Sequence, residues 1–169
     1  MTTTTSAAPV ASGPTPPPRP PSPTRRHFWA EAEAGAPPEA VWAVWTDLDV
    51  WPSIDPALRS VELAGGARTI AAVGQEGTLV DETGRPIAWS VTYLDPLRAY
   101  TFTSRLPLAR LHVHRRLNPT DSGRLRLTHE VWFGGPLGAI FGLLLGRRFA
   151  SLLPGVVARV VELAESKAA

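Results

Sequence analysis

The chain has 169 residues, a formal net charge of +2 and no cysteine. Without cysteine, disulfide bonds and thiolate chemistry are excluded, and the single lysine, Lys167 near the C-terminus, disfavours Schiff-base chemistry. Residues 1–26 contain three arginines and no acid, whereas the remainder carries 14 basic and 15 acidic residues. A nucleic-acid-binding domain usually has a basic face of its own, so this balance indicates that nucleic acid is not a partner.

Residues 1–26 differ in composition from the rest of the chain. Eight of them are proline, and no apolar periodicity is present. Such a segment cannot bury enough surface to offset the entropy of ordering, so we predict a disordered, partly polyproline-II tail. Its P-x-x-P spacing leaves open a ligand for a proline-recognition module. No apolar run typical of a secretion signal is present, and we expect a cytoplasmic protein.

Residues 27–169 carry the patterns of one folded domain. Phe28, Ala30 and Ala32 alternate with polar or exposed positions, which predicts a strand with one wet face. Proline and Glu39 suit the first turn of a helix, so a helix is predicted over 38–46. A second short helix is predicted over 49–54, where Asp55-Pro56 ends it.

The rest of the domain is predicted to be strand-rich and then helical. Period-2 segments bounded by Gly, Pro, Asn and Asp clusters predict about six antiparallel strands, over 58–64, 77–81, 87–94, 100–104, 111–117 and 125–133. From residue 137 to 163, apolar residues recur every three or four positions, which predicts one long helix with a kink at Pro154-Gly155. The apolar run 137–145 is shorter than the about 20 residues that span a bilayer.

Four motifs in this order resemble the polyketide cyclase/dehydrase branch of the SRPBCC (START-like) superfamily. They are Ala36-Pro37-Pro38-Glu39-Ala40-Val41-Trp42, Thr46-Asp47-Leu48-Asp49 with Trp51-Pro52 and Pro56, Thr92-Tyr93-Leu94-Asp95-Pro96, and Gly134-Gly135-Pro136-Leu137. The resemblance covers residues 27–169. It implies an α+β helix-grip fold, in which a curved antiparallel sheet of about six to seven strands surrounds a long C-terminal helix and encloses an internal cavity for a small apolar ligand.

Two polar residues are predicted to point inward. By strand parity Arg115 shares a face with Val113 and Leu117, and His129 shares a face with Leu127. A buried charge is costly unless it is paired or solvated, so these residues predict a cavity that receives a polar ligand group. Arg115 would anchor a carboxylate, phenolate or carbonyl, and His129 would move a proton. Alternatively, Arg115 extends to the rim and His129 bonds a local carbonyl.

Hydroxyl groups supply further candidates. Parity places Tyr93 with Trp89 and groups Tyr100 with Ser104, although an ordinary core with satisfied hydroxyls explains the pattern too. The catalytic candidates are Arg115, His129 and Tyr93. The predicted ligand-binding residues are Trp89, Tyr93, Tyr100, Phe102, Ser104, Val113, Arg115, Leu127, His129, Phe141 and Leu145.

His112-x-His114 places two imidazoles on one side of a strand, a spacing that metal sites use. Their expected cross-strand neighbours are Glu130 and Thr128, which do not complete a convincing zinc site. We therefore predict no metal and no cofactor. No serine-nucleophile, phosphate-loop or dinucleotide motif is present in the sequence.

Three functions remain open. The first is a binding or carrier module for a hydrophobic molecule such as a polyketide, isoprenoid or lipid. The second, implied by the resemblance, is a metal-free cyclase/aromatase or dehydratase, in which Arg115 stabilises an enolate while His129 or Tyr93 transfers a proton. The third is a protein- or membrane-interaction module that uses the tail and the helix 137–149. Membrane contact is not favoured, and the sequence leaves the ligand and the oligomeric state open.

Overall fold

The computed structural model describes residues 26–169, so the predicted tail up to Arg25 lies outside the described residues. The strands are β1 His27–Ala34, β2 Leu58–Leu63, β3 Glu76–Asp81, β4 Pro86–Asp95, β5 Ala99–Leu106, β6 Ala109–Pro119 and β7 Leu125–Gly134. The helices are α1 Pro38–Thr46, α2 Trp51–Ile54 and α3 Gly138–Ala168, with a 3-10 turn at Ala64–Gly66.

All seven strands form one curved antiparallel sheet in the order β1-β7-β6-β5-β4-β3-β2. Consecutive hairpins build β2 to β7, and β1 then pairs with β7 at the edge. The predicted α+β helix-grip architecture is confirmed. Most predicted strands begin and end within two residues of the observed ones, and α1 has the predicted bounds.

The two short helices follow β1 and are joined through one backbone carbonyl. Pro37 precedes α1 in extended conformation and Pro38 begins it, where the missing N–H costs no helical bond. The indole Nε1 of Trp51 in α2 donates to the carbonyl oxygen of Trp45 at 2.9 Å. Both tryptophans are fully buried, and the two helices join the core with α1 packed on α3 and α2 packed on β2 and α3.

Helix α3 closes the concave face of the sheet. Its residues Val156, Val160 and Ala164 are buried, and it packs against β1 and β7. Contact is closest at Gly146, where the Phe28 ring of β1 occupies the space that a side chain would fill. The helix continues through Pro154 to Ala168.

The apolar run 137–145 predicted a segment too short to span a bilayer, but the observed helix α3 is longer. Among the described residues it is the one helix long and apolar enough to cross a membrane by length and composition, because small and branched apolar residues continue beyond Arg148. A core helix of a soluble protein passes the same test. Its Val156 side is buried against the sheet, and 28% of its apolar stretch is buried within the protein.

Candidate functional site

A cavity of about 170 Å³ lies between the inner face of the sheet and α3. Apolar side chains from both layers form most of its wall, among them Phe102, Val113, Val131, Leu145, Phe149 and Val156. Polar groups enter it from α2 and the central strands, at Asp55, Ser104, Arg115 and His129. An apolar enclosure with a few convergent polar groups is the usual composition of a small-molecule site.

Arg115 on β6 is the charged residue at the centre of this wall. Its side chain is buried, and Nη1 donates to the Tyr100 hydroxyl at 2.6 Å and to the Trp45 carbonyl at 3.2 Å. The guanidinium carbon lies 4.5 Å from the centre of a Trp51 ring, a cation–π distance. These contacts fix the direction of the guanidinium without a carboxylate partner.

The Trp45 carbonyl is available because it belongs to the last turn of α1. Carbonyls in the last turn of a helix lack an intrahelical donor and carry the negative end of the helix dipole. The Tyr100 hydroxyl donates to this oxygen at 2.6 Å, in addition to Trp51 and Arg115. Burial raises the pKa of Tyr100 to about 12, so the hydroxyl keeps its proton and its donor role.

His129 on β7 stands directly opposite Arg115 in the β6–β7 register, and the predicted inward orientation of both residues is observed. Burial lowers the pKa of His129 well below its usual value, and the charge of Arg115 acts in the same direction. The imidazole is therefore neutral at neutral pH and a weak base, which suits it to hydrogen bonding more than to holding a proton.

Three residues that line the cavity each carry a buried polar atom without a protein hydrogen-bond partner. These atoms are the Ser104 hydroxyl oxygen, Arg115 Nε and His129 Nδ1. An unpaired buried polar group costs about 1–3 kcal/mol. Two donors and an imidazole without protein partners thus come from residues that line one cavity.

Asp55, at the end of α2, is the acid that interacts with Arg115 across the cavity. Burial raises its pKa, while a hydrogen bond from the Ala57 amide at 2.9 Å and the charge of Arg115 oppose that shift. The carboxylate partly balances the guanidinium charge through space. An anionic ligand group near Arg115 would compete with it.

The cavity reaches solvent between α3 and the β3–β4 hairpin. Arg85 and Arg148 line this edge, and their side chains are 72% and 42% exposed. Arg148 forms an ion pair of 2.7 Å with Glu82 of the hairpin turn. This pair connects the two elements that border the opening.

The sequence model of the family described as "Polyketide cyclase / dehydrase and lipid transport" matches residues 25–165. The chain belongs to this family. The match covers the whole described domain except its last four residues, in agreement with the resemblance of the four motifs. No curated protein matches the chain in sequence.

Solved structures share the family fold at low sequence identity. The Mesorhizobium loti protein MLL2253 is 20% identical, with a TM-score of 0.63 over 83% of this chain and 98% of that one. The Thermus thermophilus protein TTHA0849 is 16% identical, with a TM-score of 0.62 over 85% and 99%. The protein named Ara h 8.0201 is 16% identical, with a TM-score of 0.57 over 80% and 97%. At such identities the likeness shows the fold alone.

Six of the predicted ligand-binding residues of this family member meet at the cavity, namely Phe102, Ser104, Val113, Arg115, His129 and Leu145. The others belong to neighbouring packing. Trp89 and Leu127 lie in the hydrophobic core. Tyr100 does not line the cavity, and its hydroxyl accepts a hydrogen bond from Arg115. Phe141 stacks on Phe133 with ring centres 6.2 Å apart, outside the cavity wall.

Tyr93 does not share the face of Trp89, and this part of the prediction is wrong. A bulge shifts the β4–β5 register between Val91 and Tyr93, so Tyr93 pairs with Thr101. Its ring instead lies 6.3 Å from that of His114 on the outer face of the sheet. Tyr93 is therefore removed from the cavity and from the catalytic candidates.

His112 and His114 lie on the outer face, but their expected neighbours are displaced by one pair. His112 stands opposite Trp132, and His114 stands opposite Glu130. The ring of His112 stacks on Trp132 at 5.1 Å, and each histidine Nδ1 is hydrogen-bonded to a threonine of β5, at 2.9 Å for His112 and 2.8 Å for His114. In residues 26–169, no group of three or more metal-ligating side chains occurs.

Sequence reasoning missed the groups that come from outside the central strands. Asp55 and Arg85 line the cavity but lie in turn segments of the sequence. Side chains in turns do not alternate regularly between two faces, so their direction could not be predicted. Arg148 closes the apolar run at the start of α3, and its basic charge was the available signal. Trp51 of α2 contacts Phe102 in the core and also lines the cavity.

Proposed function

We propose that this chain binds a small, mainly apolar molecule with one anionic or hydrogen-bonding oxygen in the cavity under α3. The observation that supports this proposal is the convergence of Ser104, Arg115 and His129, each with a buried polar atom that lacks a protein partner. A ligand oxygen would satisfy these atoms, while the aromatic and aliphatic wall would bury the rest of the molecule.

The size of the cavity limits the ligand. An apolar cavity of about 150 Å³ accepts benzene, and drug-sized ligands occupy pockets of about 300–1,000 Å³. At about 170 Å³ the present cavity suits a compound near the size of one aromatic ring. A polyketide, isoprenoid or lipid chain requires the opening between Arg148 and the β3–β4 hairpin to widen.

The ligand's polar group would be selected by Arg115. A hydrogen bond to a charged group contributes about 1.5–3 kcal/mol, which is about 10- to 150-fold in affinity. Arg115→Met keeps a long apolar side chain and removes the charge. We expect this variant to lose that factor in affinity for benzoate-like carboxylates, but to bind neutral toluene-like compounds as the unmodified protein does.

The test is native mass spectrometry of the purified protein, followed by calorimetric titration with matched carboxylate and neutral aromatics. Arg98→Met is the control, because Arg98 is exposed in the β4–β5 turn away from the cavity. Equal affinities of the Arg115→Met and Arg98→Met variants for carboxylates would contradict the proposed role of Arg115. Failure of the unmodified protein to bind any probe would contradict the binding function itself.

A second candidate function is a metal-free cyclase/aromatase or dehydratase, and the placement of His129 directly opposite Arg115 in the cavity wall favours it. The imidazole would take a proton from the carbon beside a ligand carbonyl, and Arg115 would stabilise the resulting enolate oxygen. His129→Gln separates the two functions. A catalyst loses turnover of a β-carbonyl substrate and still binds it, whereas a carrier shows no turnover in either form.

A further inference from the structure

Four apolar side chains are exposed at the end of the molecule where the cavity opens. Leu108 in the β5–β6 turn is 71% exposed, and Ile140, Leu143 and Leu144 in the first turns of α3 are 52%, 68% and 69% exposed. The Leu137 amide donates to the Leu108 carbonyl at 3.1 Å, which holds the turn against the helix start. We call these four residues the leucine patch.

Three arginines lie on the same elements as the leucine patch. Arg105 and Arg110 stand directly opposite each other in the β5–β6 hairpin, and Arg147 follows Leu143 and Leu144 along the same side of α3. All three are exposed, and within residues 26–169 none of them forms an ion pair. Like charges directly opposite in a sheet destabilise it, and an external anion would offset that repulsion.

Among the acids near this end, Glu62 and Glu76 line a surface pocket together with Arg105, and two others are engaged in local contacts. Glu82 is paired with Arg148, and the Asp81 carboxylate accepts bonds from the amides of Thr83 and Arg85 at 2.9 Å each. The leucine patch itself is therefore apolar and bordered mainly by arginines. A second copy of the chain would oppose arginine to arginine, whereas an anionic surface complements the charge.

The leucine patch also adjoins the opening of the cavity. Leu106 precedes Leu108 in the β5–β6 hairpin and lines the cavity, and Leu145 and Arg148 do so immediately after Leu144 on α3. Antiparallel connectivity places the β3–β4 hairpin at this same end of the sheet.

We propose that the leucine patch and its three arginines dock on the surface of an anionic lipid bilayer, with the cavity opening toward the lipid. Apolar side chains would enter the interface while the arginines contact anionic headgroups, as in interfacial amphipathic helices. The surface lies outside the cavity, so docking does not depend on whether the cavity binds a ligand.

The test is flotation of the full chain with vesicles of phosphatidylcholine alone and of phosphatidylcholine mixed with phosphatidylglycerol. We expect binding to the anionic vesicles that weakens with added salt. The double variant Leu143→Gln with Leu144→Gln should lose at least about tenfold in vesicle affinity. Each of Arg105→Gln and Arg110→Gln should lose about fivefold.

Matched controls lie at the opposite end of the sheet. Val73 is an exposed apolar residue between β2 and β3, and Arg98 is an exposed arginine in the β4–β5 turn. Val73→Gln and Arg98→Gln should bind vesicles as the unmodified chain does, and thermal melting checks that every variant is folded. Equal binding of patch and control variants would overturn the proposal. So would equal binding to neutral and anionic vesicles, or a stable dimer that the leucine substitutions dissociate.

Discussion

Gly146 sets how closely α3 approaches β1, and replacing it by alanine measures what that approach requires. A β-carbon at Gly146 would lie 2.8 Å from Cε1 of Phe28 and closer still to Cζ, far inside normal contact. Glycine to alanine within a helix stabilises by about 1 kcal/mol when nothing obstructs the methyl group. Overpacking of this kind costs about 1–3 kcal/mol, so the net effect should be neutral to destabilising by about 2 kcal/mol.

Gly155 provides the control within the same helix, since a β-carbon there meets nothing within 4 Å. Helix propensity contributes similarly to both substitutions. The difference between Gly146→Ala and Gly155→Ala in the free energy of unfolding therefore isolates the steric cost, which we expect to be about 1–3 kcal/mol.

Urea denaturation of both variants gives this difference. Phe28→Leu removes the ring atoms that the new methyl group meets, so combining it with Gly146→Ala should recover part of the loss through a favourable coupling energy. If the two alanine variants are stabilised equally, the close contact between α3 and β1 does not limit packing and the reasoning fails.

Three further predictions concern the cavity. The pKa of His129 is lowered in the folded state, so as pH falls below about 6.5 this histidine is protonated in the unfolded chain before it is protonated in the folded one. The free energy of unfolding should therefore fall by up to about 1.4 kcal/mol per pH unit. Urea denaturation of His129→Gln at several pH values should show a shallower slope, and an unchanged slope would contradict a buried neutral imidazole. Tyr100→Phe removes the hydroxyl between Arg115 and the Trp45 carbonyl and should destabilise the fold by about 1–3 kcal/mol in the same assay. A loss under about 0.5 kcal/mol would be inconsistent with that role of the hydroxyl. Arg148→Gln breaks an exposed ion pair at the opening, so it should change the free energy of unfolding by less than about 1 kcal/mol. In stopped-flow traces it should raise the association and dissociation rates of the ligand together. Unchanged rates would argue against this opening as the entry path.

The architecture was predictable because each strand or helix that buries one face shows a regular spacing of apolar residues in the sequence. The alternation of β6 and β7 placed Arg115 and His129 inward, and the register sets them side by side. Prolines and acidic residues marked the short helices well enough to give α1 its observed bounds.

The wrong predictions arise where the pairing of strands shifts by a residue or a residue pair. A single bulge before Tyr93 reverses the parity of the rest of β4, and composition does not reveal a bulge. The cross-strand partners of His112 were displaced by one pair because the length of the β6–β7 turn was not known from the sequence. The disordered tail and the cytoplasmic location stay predictions.

The acceptor that orients the charge in the cavity is a main-chain atom. Any residue at position 45 that preserves the last turn of α1 presents the same oxygen to Arg115, Tyr100 and Trp51. Substitution at that position can alter packing without deleting the acceptor. The direction of the guanidinium therefore depends in part on the backbone of α1, and that contribution tolerates a change of side chain at position 45.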